Sequence, residues 1–336
     1  MRINDIIVES VLDEAISASS LYDPVKQAIE TGIQNSIGSL YSMKGGFPNL
    51  EAKFNKGLGS NLLKTELIRA VEGPNEQWNM ADHIAMEIRK TLTNELGRNI
   101  VRSLTFADLG DTTQGDASNL KIRINSNVVD NIAKAAVTKV MDMVLDNYGE
   151  GELTGGLWYI IKEIGRGDKH YVSYLLDDNK RRIDSIASIL VHEVVHVLQH
   201  TQQNKVGHRS HEYRSYLGKK GEFPELNAKR KRTPEEDQRH YKLYLASPQE
   251  MAAFSHEIAV KMANDFGLRD PQNLEELNRA ASAINAESII DYVNERTGDY
   301  ILPKERKELP VYKRYVKLVY QELMRYIEQS RAKFQK

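Results

Sequence analysis

The 336-residue chain sets 46 Lys and Arg against 47 Asp and Glu, a formal net charge of −1, so no global field draws it to nucleic acid or to an anionic membrane. With 40% hydrophobic and 28% charged residues it can bury a sizeable core, which excludes a disordered or fibrous chain. It has no cysteine, so disulfides and thiolate chemistry are excluded and any metal site must use histidine and carboxylates.

In chain order, Asp5 and Glu9 interrupt the apolar stretch a signal peptide needs, and no apolar run approaches the roughly 20 residues that span a bilayer. The expectation is a soluble protein, cytoplasmic or virion-associated, with no membrane partner. Ile6 to Ala18 reads as a short helix, followed by a Gly-, Ser- and Asn-rich stretch punctuated by Gly45-Gly46-Phe47-Pro48 and Gly57-Leu58-Gly59-Ser60. Residues 1–74 therefore read as a partly helical, loop-rich appendage. Trp78 to Leu96 places Trp78, Ala81, Ile84, Ala85, Ile88 and Leu92 at helical spacing, and Gly97 ends it. Ile100 to Phe106 and Leu120 to Asn125 read as strands, the second alternating Leu120, Ile122, Ile124 against Lys121, Arg123, Asn125.

A helix is expected over Val128 to Tyr148, then a strand pair, Leu157 to Ile164 and His170 to Leu176, joined by Gly165-Arg166-Gly167-Asp168. Arg182 to Thr201 reads as a helix so apolar around its circumference that it must be buried. Residues 202–239 are polar, basic and weakly periodic, and read as a long loop or lid. Pro248 to Phe266, Leu274 to Glu295 and Val311 to Phe334 read as helices; the broad apolar face of the last suits core or oligomer packing.

The buried helix carries His192-Glu193-Val194-Val195-His196. Residues four apart lie one above the other on a helix face, so His192 and His196 can direct both imidazoles to one cation. Glu193 is turned by about 100° and reaches a water on that cation more readily than the cation itself, where a carboxylate can take a proton. Two histidines and a glutamate are costly among Ile, Val and Leu unless a metal compensates them.

These five residues resemble the zincin superfamily of metallopeptidases. The resemblance implies Zn2+ bound by His192 and His196, Glu193 as general base, hydrolysis of a protein or peptide substrate, and a sheet packed on the motif helix with substrate along an edge strand. The strand pair before Arg182 is expected to supply that sheet. The metzincin branch would continue with glycine and a third histidine, where this chain has Gln199 and Gln202. In the branch whose third ligand is a glutamate on a later helix, the matching residue is Glu250, with Ala252 and Ala253 allowing close helix approach. Ser247, Pro248 and Glu250 also fit a capping box, which needs no metal. Rival ligands are His256, Glu257, Glu212 and Glu287.

Tyr241 and Tyr244, with His240, are the expected donors to a developing oxyanion. The basic run Lys229-Arg230-Lys231-Arg232 suits a solvated loop better than nucleic acid. The opening Met1 to Ile7 is similar to the start of some tailed-bacteriophage proteins, which points to a phage-encoded member. The expected architecture is α+β: a zincin-like mixed sheet on a buried active-site helix within residues 75–265, with helical extensions at both ends, 266–336 being the C-terminal one. The alternative function is a non-enzymatic virion or assembly protein that keeps a structural metal site; a weaker one is hydrolysis of a non-peptide amide.

Overall fold

The computed structural model describes residues 18–45, 60–72, 79–96, 101–110, 114–118, 120–149, 152–206, 233, 235, 245, 248–297 and 310–335. The expected helix at Ile6 to Ala18 falls outside these residues but for its last, and most of the 207–239 segment lies outside them too. Two units are distinguished, one of Leu21–Val197 and one that includes Leu198–Lys336.

In the first unit, α1 (Ala18–Ser39) buries Leu21, Val25, Ile29, Ile33 and Ile37, a stripe repeating every four residues along one face. The stretch read as a loop-rich appendage thus contributes a core helix. A 3₁₀ turn follows at Leu40–Gly45, then α2 (Ser60–Glu72) and α3 (Met80–Glu95). The Asn79 side chain caps α3 by accepting from the Ala81 amide at 2.8 Å. At Gly38 a side chain has no room: a Cβ there would lie 2.4 Å from Gly165 Cα, so the two backbones meet directly.

Three strands follow: β1 (Ser103–Ala107), β2 (Gly115–Ser118) and β3 (Lys121–Asn125). Their order is β1-β3-β2, with β1 parallel and β2 antiparallel to β3, so β2 lies at one edge of a small mixed sheet. Leu104, Ile122 and Ile124 turn inward while Lys121 and Arg123 stay exposed, which is the alternation expected of a half-buried sheet. Asn125 ends β3 and caps α4 (Ser126–Tyr148), its side chain accepting from the Asn127 amide at 3.2 Å.

The expected strand pair at 157–176 is instead a helical pair, α5 (Leu153–Arg166) and α6 (Lys169–Asp177). The buried residues Leu157, Ile160, Ile161 and Ile164 have helical spacing, not alternation. The glycine-rich link is a pair of caps, not a hairpin turn. Gly167, at φ 80, takes the left-handed conformation that closes α5, and its amide donates to the Glu163 and Ile164 carbonyls. Asp168 caps α6, accepting from the His170 and Tyr171 amides.

Helix α7 (Lys180–Val206) carries the motif and continues five residues past Thr201. Ile183, Ile186, Ala187, Leu190, Val191, Val194 and Val197 are buried. Each such Ile, Leu or Val contributes about 1.5–3 kcal/mol of transfer free energy, which offsets the polar groups on the same helix. The edge strand packs on this helix at Gly115, beside Ile189 and Glu193. A charged contact with α1 adds to it: Asp184 accepts from Tyr22 Oη at 3.0 Å and from Lys26 Nζ at 2.7 Å. The result is the α+β arrangement expected, with a small mixed sheet on a buried helix, though the sheet comes from residues 103–125.

In the second unit, α8 (Pro248–Asp265) packs on α11 (Pro310–Lys333). The expected helix at 274–295 is two, α9 (Leu274–Ser282) and α10 (Ala286–Thr297), because the Asn285 side chain accepts from the Glu287 and Ser288 amides and starts a new helix. Tyr315 fixes the core by donating to the Leu245 carbonyl at 2.8 Å, and Ser330 by donating to that of Leu268 at 2.6 Å.

Candidate metal centre

On α7, His192 and Glu193 are each 6% exposed. His192 Nε2 and His196 Nε2 are 3.0 Å apart, with ring planes at 73°. Two imidazole lone pairs directed at one point repel each other unless a proton or a cation lies between them. Ligand nitrogens about 2.0–2.1 Å from a tetrahedral zinc are about 3.3 Å apart, close to the separation seen.

Glu250, in the first turn of α8 and 8% exposed, offers the third ligand atom: those of His192, His196 and Glu250 all lie within 4.8 Å of one another. Two imidazoles and a carboxylate are the donor set of a catalytic zinc site with one position left for water. With His192 and Glu250 buried and His196 half-buried, a metal supplies the partner without which burying these polar groups is expensive. The residues therefore fit zinc.

None of the described rivals joins this cluster. Glu257 accepts from Arg296 through Nε at 2.9 Å, and His256 Nδ1 lies 3.6 Å from Glu322 Oε2. Glu287 is exposed. Glu212, His240, Tyr241, Tyr244, Ser247 and Lys229 to Arg232 lie outside the described residues. Among the described residues, His192, His196 and Glu250 form the one group of three or more His, Asp or Glu placed to hold a metal.

Sequence reasoning missed Gly115. A Cβ there would lie 2.9 Å from Glu193 Oε1, so the edge strand passes directly over the motif glutamate. Its strand, Gly115-Asp116-Ala117-Ser118, lacks apolar alternation, and the glycine alone was the available signal.

No family model, curated protein or solved structure matches the chain. The cluster nevertheless matches the zincin metal-binding signature, His-Glu-x-x-His with a distal glutamate. It supports a zinc-dependent hydrolase of the metallopeptidase type over a non-enzymatic protein with a structural metal, since two imidazoles and a carboxylate beside the motif glutamate are the donor set of catalytic zinc sites. None of the described helices is long and apolar enough to cross a membrane.

Proposed function

We propose that the chain is a zinc metallopeptidase acting on a protein or peptide, with His192, His196 and Glu250 as metal ligands and Glu193 as general base. The observation that carries this reading is the convergence of the three ligand atoms within 4.8 Å, with Glu193 adjoining on the same helix. A bound zinc supplies Lewis-acid polarisation of the scissile carbonyl and acidifies the attacking water.

The chain's own residues do the rest. Glu193 accepts a proton from the attacking water and later delivers one to the leaving amine nitrogen, so one carboxylate serves both halves of the reaction. Its burial limits competition from bulk water for that proton. Among the described residues β2 is an edge strand, and it lies beside Glu193, a place that suits an extended peptide. Tyr241 and Tyr244, shortly before α8 in sequence, are assigned as donors to the oxyanion.

The test is Glu193→Gln, which keeps the shape of the side chain and removes its basicity. We expect zinc content and melting temperature close to wild type, and hydrolysis of an unbiased peptide library reduced by about 10²–10⁴-fold. Unchanged hydrolysis would remove Glu193 from the mechanism. A wild-type protein that binds no zinc would overturn the assignment as a whole.

A further inference from the structure

Gly115 is the first residue of the short edge strand β2, and a glycine in a paired strand position weakens local structure and calls for a reason. Its backbone gives none. Gly115 is not among the glycines with positive φ, and it pairs with Ile124 in regular antiparallel register, a conformation that alanine adopts without strain. The reason lies in what faces it. A methyl group at this position would lie 2.9 Å from Glu193 Oε1, 3.1 Å from Glu193 Cγ and 2.9 Å from Ile189 Cγ2.

We propose that Gly115 is a positioning residue for the general base: its missing side chain leaves the space in which the Glu193 carboxylate is held. This rests on the assignment of Glu193 as base. Ile189 is β-branched and held to one rotamer on a helix, whereas the Glu193 carboxylate sits at the end of three rotatable bonds. An added methyl group therefore displaces the carboxylate first. The three atoms nearest to that methyl group belong to Ile189 and Glu193, none to His192 or His196, so the displacement spares the histidine ligands. Proton transfer demands hydrogen-bond reach, and a misplacement of about 1 Å costs on the order of 100-fold in rate.

The experiment pairs kinetics with metal-free stability. In Gly115→Ala we expect zinc by elemental analysis at the wild-type ratio, KM within about twofold, and kcat lower by about 100-fold. Chemical denaturation in EDTA is then measured for Gly115→Ala alone and combined with Glu193→Ala or with Ile189→Ala. The stability lost through Gly115→Ala should shrink in the Glu193→Ala background, and by more than it shrinks in the Ile189→Ala background. Wild-type kcat in Gly115→Ala, or coupling to Ile189 alone, would overturn the proposal.

Should Gly115→Ala fail to fold, Gly115→Ala/Ile189→Ala compared with Ile189→Ala isolates the effect on kcat, and equal kcat in those two rejects it. The two readings fail separately. A wild-type protein without zinc or hydrolysis sinks the enzymatic assignment, whereas the metal-free coupling between Gly115 and Glu193 judges the packing.

Discussion

Among the described residues, two places set a buried histidine against a carboxylate. At one, His192, His196 and Glu250 bring three ligand atoms within 4.8 Å of one another. At the other, His256, 1% exposed on α8, has Nδ1 3.6 Å from Glu322 Oε2, while Arg325 Nη1 donates to the other Glu322 oxygen at 2.5 Å. Both places are shielded from solvent, but the second carboxylate already has a cation of the protein's own, the Arg325 guanidinium three residues along the same helix. The contrast teaches that buried polarity alone does not mark a site. Convergence of metal-ligating atoms does, and an arginine in the same position closes a cluster as structure.

The contrast is broken or sharpened by removing one partner at each place. The largest effect is expected from His192→Ala: bound zinc and hydrolysis should both be lost, and stripping the wild-type protein with a chelator should give the same result. His256→Gln should leave zinc at the wild-type ratio by elemental analysis. Next, Glu250→Ala should weaken zinc binding by at least about tenfold in a competitive chelator titration. Glu322→Ala should leave zinc affinity alone and cost about 1–3 kcal/mol of stability in urea denaturation, because Arg325 loses its acceptor. Full zinc occupancy in Glu250→Ala would reduce that residue to a helix cap.

Smaller effects come from the charged contact that supports the motif helix without touching the site. Asp184→Ala removes the acceptor of both Tyr22 and Lys26 and should cost about 1–2 kcal/mol with zinc affinity unchanged. The smallest is pH-dependent. Burial holds the Glu30 carboxyl above the ordinary glutamate range, opposed by Lys26 and reinforced by Asp184. A raised pKa favours the folded state below the ordinary value, and that contribution is lost as pH rises through the raised one. Glu30→Gln should therefore raise the melting temperature at neutral pH and change it less near pH 4.

What the sequence disclosed follows from how each signal arises. The motif and the helices around it are periodic because one face is buried, and β3 alternates because only one face is. β2 was illegible because it is a four-residue edge strand of small and polar side chains, held by its pairing with β3. α5 misled for the opposite reason: Trp158, Tyr159, Ile160 and Ile161 are strand-prone residues held in a helix that buries Trp158, Ile160 and Ile161, and Gly167 and Asp168 serve as caps where a hairpin turn would use the same residues. Glu250 was legible by its place at the start of a helix with two alanines, and the cap reading was equally available until the ligand atoms were seen together.

The tie between Tyr22 and Asp184 spans 162 positions of chain. At translation rates of about 5–20 residues per second, α1 is made about 8–30 s before the partner it holds. Through that interval Tyr22 and Lys26 lack their acceptor on α7, although α1 can already meet α3, where Gly32 lies against Ile84. The motif helix is thus completed late, long after the helix that holds it, and this long-range contact is one that the chain must close after most of the first unit has been made.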